Sequence, residues 1–211
     1  PSSIIEKNIS HETLIEDVSL LPHIGEDNYD TVHYQNWCYV STGKGDTIEK
    51  KLGDGQTTCH FLKKEFMKER NLIDNLGKDE EPLGIVPAVL KHLLDARNAT
   101  KKRMKKEPNE FKKKVLDGLQ LAYKVTANSV YGQLGAKTST IYKMKLAACT
   151  TSVGRSRIDD ASLGVKDWAD KKGYPEPDVI YGDTDSVFVK FSRIKDGQTL
   201  VGKEALKHCI Q

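Results

Sequence analysis

The feature that most constrains this chain is a pair of long helical patterns separated by only three residues. In the first pattern, apolar residues recur at the spacing of one helix face: Val86, Val89, Leu90, Leu93 and Leu94. This predicts a helix from about Pro87 to about Lys106, which residues 107–109 (Glu-Pro-Asn) should end because proline cannot continue the hydrogen-bond ladder. A second helix is predicted from about Glu110 to Tyr131, with an apolar side formed by Val115, Leu116, Leu119 and Ala122. So short a connection forces an antiparallel hairpin.

Positive charge is concentrated on this predicted helical pair. Six of the ten residues from Arg97 to Lys106 are cationic, and residues 112–114 are three further lysines. The formal net charge of the whole chain is only +3, so the clustering indicates a polyanionic partner, either a polyphosphate or a nucleic acid. Arg97, Lys101 and Lys105 are four residues apart and therefore share one helix face.

The last third of the chain carries two acidic residues in a setting typical of a β-hairpin. A helical pattern from Ala147 to Lys172 ends at Gly173, a residue suited to a left-handed helix cap. Beyond it, two β-rich runs, 178–181 and 186–191, flank a Gly-Asp-Thr-Asp tetrapeptide. This arrangement predicts a β-hairpin with carboxylates at its tip.

Asp183 and Asp185 are two residues apart at this predicted turn. Neighbouring carboxylates repel each other and lose hydration unless a cation or water compensates them. A divalent ion such as Mg²⁺ binds a few carboxylates together with water and phosphate oxygens, as phosphoryl transfer requires. For an Asp-x-Asp pair alone, a solvated acidic turn is the commoner explanation.

The remaining sequence predicts a globular α+β protein. Residues 31–62 combine aromatic and β-branched residues with glycine turn signals, which predicts a small antiparallel ribbon. The 211 residues are 37% hydrophobic and 30% charged, which is enough for a core, and no segment approaches a membrane span. The cysteines form no Cys-x-x-Cys motif, so we expect reduced thiols and no structural zinc site at Cys38, Cys59, Cys149 and Cys209.

Residues 181–186, Tyr-Gly-Asp-Thr-Asp-Ser, resemble motif C of the family B DNA polymerases at every position. In that family the second aspartate of the motif ligates both catalytic metal ions, and the first contributes less directly. The resemblance therefore implies that Asp185 is the stronger metal ligand and Asp183 the weaker, with two Mg²⁺ ions as cofactors. It also implies that Tyr181 and Gly182 contact DNA.

A second resemblance lies in the predicted helix before it, where residues 124–132 (Lys-Val-Thr-Ala-Asn-Ser-Val-Tyr-Gly) are similar to motif B of the same family. Lys124, Asn128 and Tyr131 follow at intervals of four and three residues and share one helix face. The resemblance implies that Lys124 is catalytic and, with Asn128 and Tyr131, binds the nucleotide, while Tyr131 and Gly132 contact the DNA at the new base pair. Without motif C, an amphipathic helix with an exposed lysine would be the simpler explanation.

Two further segments resemble the family. Residues 94–97 (Leu-Asp-Ala-Arg) with Lys101 are similar to the preceding fingers helix, in which an arginine and a lysine one turn later hold the nucleotide's phosphates, so Arg97 and Lys101 are implied to bind nucleotide. Residues 1–10 are similar to the continuation of motif A, whose aspartate and sugar-sensing tyrosine precede the first residue of this chain. We therefore expect a piece of a longer protein that is inactive alone. The other cations of the helical pair stay unassigned.

The resemblance implies a polymerase palm with an antiparallel sheet, residues 1–84 and 132–211, and a fingers subdomain of two antiparallel helices, residues 85–131. It implies template-directed DNA synthesis from deoxynucleoside triphosphates on a DNA primer–template, with a sliding clamp as a partner of the full-length protein. The sequences of residues 2–5 (Ser-Ser-Ile-Ile) and 8–11 (Asn-Ile-Ser-His) are most similar to those of polymerases from large double-stranded DNA viruses of algae and protists. For a viral enzyme we expect an intracellular location, in the host nucleus or at a cytoplasmic replication site.

Two alternatives stay open. A non-catalytic nucleic-acid-binding module would bind with a salt-dependent affinity and would have no magnesium site. A palm of the reverse transcriptase type typically has adjacent aspartates at its turn, whereas Thr184 separates them here.

Overall fold

The computed structural model describes residues 1–41, 48–70, 72, 82–174, 176–183, 186–190, 194–195, 198–199 and 203. The helices are α1 (Ser2–Glu6), α2 (Leu21–Ile24), α3 (Lys64–Glu69), α4 (Ile85–Lys106), α5 (Glu110–Gly135) and α6 (Met144–Lys171), with 3-10 turns at Val18–Leu20 and Glu26–Asn28. The strands are β1 (Leu14–Ile15), β2 (Tyr29–Ser41), β3 (Ile48–Leu62), β4 (Asp178–Asp183), β5 (Ser186–Lys190), β6 (Ile194–Lys195) and β7 (Gln198–Thr199). The α+β class is confirmed.

The chain forms two compact units, residues 1–152 and 153–211. In the first unit β2 and β3 pair antiparallel, which confirms the ribbon predicted for residues 31–62. β1 was not predicted; it pairs with the other edge of β3, with Leu14 opposite Phe61. Because side chains alternate along a strand, one face of this sheet buries Leu14, Val32, Cys59 and Phe61. None of the described helices has the length and apolarity to cross a membrane.

The helical hairpin α4–α5 is confirmed, with two shifted ends. α4 begins two residues before the predicted start, which leaves Pro87 in its first turn, and it ends at Lys106 as predicted. α5 begins at Glu110, where the side chain of Asn109 accepts a hydrogen bond from the Lys112 N–H at 3.1 Å and caps the helix. α5 continues four residues past the predicted end because the fully buried Leu134 extends its packed face.

The apolar side predicted for α5 is not the side that packs. Val115, Leu119 and Ala122 are exposed, and of that predicted set only Leu116 is half-buried. The less exposed residues recur instead at intervals of four and three positions: Leu116, Gln120, Tyr123, Ala127, Val130 and Leu134. This face meets α4, since Arg97 Nε donates a hydrogen bond to Gln120 Oε1 at 3.2 Å. The prediction of the packed side of α5 was wrong because the face that is exposed is as apolar as the face that packs on α4.

The N-terminal segment is tied to the base of α4 through Asn8. This residue is buried and has a φ of +49°, a left-handed conformation that asparagine tolerates better than most residues. Its side-chain amide donates to the carbonyl of Leu62 at 2.9 Å, and its Oδ1 accepts from the N–H of Gly84 at 2.8 Å. The Thr13 hydroxyl donates to the Asn8 carbonyl at 2.5 Å. One side chain therefore joins α1, β3 and the start of α4.

The first turn of α4 is capped from the same segment. The Ile85 N–H donates to the Glu12 carboxylate, and the Val86 N–H donates to Ser10 Oγ at 3.2 Å. These N–H groups have no partner inside the helix, and a carboxylate at this end also interacts favourably with the helix dipole. Gly84 is required here because a Cβ at this position would lie 2.7 Å from Ser10 Cβ and 2.8 Å from Glu12 Oε1.

α6 starts three residues before the predicted position and ends at Lys171. Gly173 has a φ of +68°, and its N–H donates to the carbonyl of Asp170 at 2.9 Å. The N–H of Tyr174 donates to the carbonyl of Ala169, also at 2.9 Å. This pattern confirms the left-handed cap predicted at Gly173.

Candidate functional site

In the second unit, β4 and β5 form the predicted antiparallel hairpin. Asp183 pairs with Ser186, and Thr184 and Asp185, which come between them in the sequence, lie outside the described residues. Asp183 is exposed, and Ser186 Oγ donates to its backbone carbonyl at 3.3 Å. Asp183 is therefore the last residue of β4 rather than part of the tip tetrapeptide, and the roles of Asp183 and Asp185 stay predictions.

The hairpin has one exposed face that combines an acid with aromatic rings. Paired residues point to the same side of a sheet and alternate along each strand, so Asp183 shares a face with Tyr181 and Phe188. The two rings are directly paired, with centroids 5.9 Å apart, and are 57% and 61% exposed. Val187 and Val189, which alternate with Phe188, are half-buried on the other face. The exposed face offers a carboxylate beside two aromatic rings that are inclined to each other by 55°.

Gly182 lies where β4 comes close to α6 within the second unit. A Cβ at this position would lie 2.9 Å from Ile158 Cγ2 of α6. Packing of the hairpin on α6 is therefore a sufficient reason for glycine here, and the DNA contact implied for Gly182 stays a prediction.

The cations of α4 fall into two groups. Arg97 and Lys101 are half-buried, whereas the cations that the sequence left unassigned are exposed: Lys102, Arg103, Lys105 and Lys106. The guanidinium of Arg97 is oriented by its hydrogen bond to Gln120, and Lys124 follows Gln120 by four residues of α5, about 6 Å along the axis. In the part of the chain that the structure describes, no carboxylate lies within salt-bridge distance of Arg97, Lys101 or Lys124. Among the described residues, therefore, no ion pair neutralises these three charges.

Sequence reasoning missed Gln120 as the partner of Arg97. The Gln120 side-chain amide donates to Asp117 Oδ1 at 3.1 Å, which leaves its carbonyl oxygen to accept from Arg97. The available signal was the spacing: Gln120 lies four residues before Lys124 and three after Asp117 on one helix.

The remaining motif B residues line the surface of α5 toward its C-terminal end. Asn128, Tyr131 and Gly132 are all exposed. Apart from the adjoining backbone of α5, no described residue comes within 4 Å of the position that a Cβ on Gly132 would occupy. The surface beside Tyr131 is therefore open enough to receive a flat group.

The described residues contain no group of three or more His, Cys, Asp or Glu side chains that could hold a metal ion. The donor chemistry at the end of β4 nevertheless fits magnesium, because Asp183 presents carboxylate oxygens and the following turn adds a second aspartate. Hard divalent cations prefer oxygen ligands of this kind to nitrogen or sulfur. A complete ligand set remains a prediction.

Two of the four cysteines form a buried thiol pair in the first unit. Cys59 of β3 and Cys149 of α6 are both free. The thiol of Cys149 hydrogen-bonds that of Cys59 and lowers the pKa of Cys59 to about 7, with Lys145 acting in the same direction, while burial opposes the shift. The same hydrogen bond, together with burial, raises the pKa of Cys149. Free thiols at these two positions agree with the prediction; Cys209 lies outside the described residues.

Comparison with known proteins gives a consistent result. The family model for DNA polymerase family B matches residues 1–210. The DNA polymerases of Phaeocystis pouchetii virus and Pyramimonas orientalis virus are 35% and 33% identical over 100% of this chain, which spans 22% and 19% of their lengths. The DNA polymerase delta catalytic subunit of Candida albicans is 43% identical over 59% of this chain and 12% of that subunit. The family B DNA polymerase of the hyperthermophilic archaeon Pyrobaculum calidifontis matches with a TM-score of 0.50 and 29% identity, over 91% of this chain and 19% of that one.

Proposed function

The chain belongs to DNA polymerase family B, and from this premise we propose that it binds the incoming nucleotide and the primer end during template-directed DNA synthesis. It spans about a fifth of the length of its viral relatives, so the activity is that of the full-length polymerase. The observation that carries the proposal is that Gln120 orients Arg97 in a group of cations on α4–α5 that has no carboxylate partner among the described residues.

The proposed ligand of this group is the triphosphate of a deoxynucleotide. Arg97 offers a planar fork for two phosphate oxygens, and its half-buried position holds that fork in one orientation. Lys101 and Lys124 add compact positive charges. The three cations neutralise the β and γ phosphates, which both binds the nucleotide and stabilises the pyrophosphate as it leaves.

The acidic hairpin turn is the proposed metal site. Asp185, with Asp183 as the weaker ligand, would hold two Mg²⁺ ions, which when bound stabilise the charge on the attacking and leaving oxygens. The reaction is the in-line attack of the primer 3′-hydroxyl on the α-phosphorus, with release of pyrophosphate. This chain's residues hold the phosphates and orient the nucleotide, which removes much of the entropic barrier.

Two surfaces, one in each compact unit, are proposed to contact DNA. On α5, Tyr131 stacks at the new base pair, Gly132 leaves room for it, and Asn128 contacts the nucleotide. On the β4–β5 hairpin, Tyr181 and Gly182 meet the primer strand. The open space beside Gly132 and the exposed ring of Tyr181 support these roles.

We assign residues 85–131 to the fingers and residues 1–84 and 132–211 to the palm. The anchoring of the α4 base by Asn8, Ser10 and Glu12 supports a helical hairpin that projects from one support. The viral relatives support a replicative role inside an infected host cell, at the nucleus or a cytoplasmic replication site. A DNA primer–template and deoxynucleoside triphosphates are the proposed partners, and a sliding clamp is a further one.

The decisive test is Asp185→Asn in a full-length polymerase that carries this chain. We expect it to abolish magnesium-dependent primer extension in single-turnover assays, because the substitution removes a metal ligand. Primer–template binding should be retained, because no contact to a phosphate is removed. Asp178→Asn is the matched control, since Asp178 is an exposed aspartate at the other end of β4, and it should extend normally. Wild-type extension by Asp185→Asn would favour the non-catalytic binding module instead.

A further inference from the structure

The far end of the α4–α5 hairpin, residues 102–114, has a charge that the proposed nucleotide site does not use. We call these residues the distal tip. It contains seven cationic residues and two carboxylates, a net charge of +5 in a chain whose formal net charge is +3. All seven cations are exposed: Lys102, Arg103, Lys105, Lys106, Lys112, Lys113 and Lys114. The one ion pair that the structure describes among them joins Lys113 Nζ to Glu110 Oε1 at 3.3 Å.

Only some cations of the distal tip are favourable for the helix on which they lie. Cations in the last turn of α4 interact favourably with its helix dipole, so Arg103, Lys105 and Lys106 have a structural explanation. Residues 112–114 lie near the start of α5, where the same dipole disfavours positive charge. Lys102 and Lys106 also form a like-charged pair four residues apart, which is destabilising. Residues that destabilise the helix on which they lie indicate a function at that position.

An exposed aromatic ring lies among these charges. Phe111, in the first turn of α5, is 76% exposed. A solvated lysine face does not explain this ring, and of residues 112–114 only Lys113 has an ion-pair partner that the structure describes. Lysines around an exposed ring are the combination that binds single-stranded nucleic acid, because cations contact the phosphates while the ring stacks on an unpaired base. Duplex bases are already stacked and would leave the ring unused.

We infer that the distal tip binds single-stranded DNA, with residues 112–114 on the phosphates and Phe111 stacked on a base. Given the proposed function, that strand is the unpaired template ahead of the primer end. The surface is distinct from the group formed by Arg97, Lys101 and Lys124, which is proposed to hold the nucleotide.

The test uses the chain of residues 1–211 and a fluorescent single-stranded oligodeoxynucleotide, with anisotropy measured over a range of salt concentrations. Replacing residues 112–114 with glutamine should lower the slope of log affinity against log salt by about 2, because each phosphate contact on a single strand contributes about 0.7. The matched control replaces three exposed lysines elsewhere, Lys137, Lys171 and Lys172, and should leave the slope unchanged. Phe111→Ala should weaken binding at least about fivefold and leave the slope unchanged.

Two results would overturn the inference. An equal loss of slope in the control triple variant would mean that binding depends on total charge alone. Tighter binding to vesicles containing phosphatidylserine than to the oligonucleotide, lost on Phe111→Ala, would show that the basic helix meets a membrane surface.

The proposed function is tested separately in the full-length polymerase. Tip variants should extend normally on a template with a single unpaired nucleotide and poorly on one with an overhang of about 15 nucleotides. Asp185→Asn should fail on both and keep the salt slope of single-strand binding. The two proposals can therefore fail independently.

Discussion

The two ends of the α4–α5 hairpin differ in what holds them. At the base, the N–H groups of Gly84, Ile85 and Val86 all donate to side chains from residues 8–12. At the distal tip, the cap is the side chain of Asn109 and the surrounding cations are exposed. One end is fixed by distant parts of the chain, and the other depends on its nearest neighbours.

Because of this difference, we expect the base of the hairpin to contribute to folding stability and the distal tip to contribute to binding. Buried hydrogen bonds at the base cannot be replaced by water, so their loss should cost folding free energy. The tip cations at residues 112–114 are already solvated and lie near the start of α5, where the helix dipole disfavours them, so their removal should cost no folding free energy. Substitutions at the base should therefore unfold the chain, whereas substitutions at the tip should change binding alone.

The largest effect is expected from Asn8→Ala. It removes a donor to the Leu62 carbonyl and the acceptor of the Gly84 N–H, and it places alanine at a φ of +49°. We expect the free energy of unfolding in urea to fall by about 3 kcal/mol, because two buried backbone groups lose their partner. A loss below about 1 kcal/mol would mean that the base is not the fixed end.

A smaller loss is expected from Gly84→Ala. The added Cβ would overlap Ser10 and Glu12 and push the cap away from α4, at a cost of about 2 kcal/mol. Gly118→Ala in α5 is the matched control, because nothing lies within 4 Å of its Cβ position. It should stabilise the chain by up to about 1 kcal/mol. Equal effects of the two substitutions in urea unfolding would contradict the proposed role of Gly84.

The smallest effect, of opposite sign, is expected from Lys112→Glu at the tip. It exchanges an unfavourable charge for a favourable one near the start of α5 and should raise the free energy of unfolding by about 0.5 kcal/mol. The gain should shrink at high salt, as for any exposed charge interaction. Destabilisation by this substitution would mean that Lys112 contributes to folding.

The same contrast explains which features the sequence could predict. Both ends of the tip were predicted because their signals are local: Pro108 stops α4, and Asn109 caps α5. The cap of α4 was not predicted because Ser10 and Glu12 lie more than 70 residues away, with no pattern linking them to Ile85. Sequence periodicity likewise could not decide which of two apolar faces of α5 would pack on α4.

In the second unit, two β-rich runs around a Gly-Asp-Thr-Asp tetrapeptide were enough to predict the β-hairpin, although β4 runs through Asp183, which the sequence placed in the tip. The packing of Gly182 on Ile158 needed the structure, because it depends on a residue of another element. Local sequence patterns thus identified the candidate residues. Long-range contacts explained why the neighbouring position 182 is a glycine.

The most direct test of the proposed function is a structure of a full-length polymerase carrying this chain, bound to primer–template, Mg²⁺ and a non-hydrolysable deoxynucleotide. We expect the carboxylate of Asp185 to ligate metal, and Arg97, Lys101 and Lys124 to lie within hydrogen-bond distance of the β and γ phosphates. A triphosphate bound elsewhere, with these three cations facing solvent, would contradict the proposal.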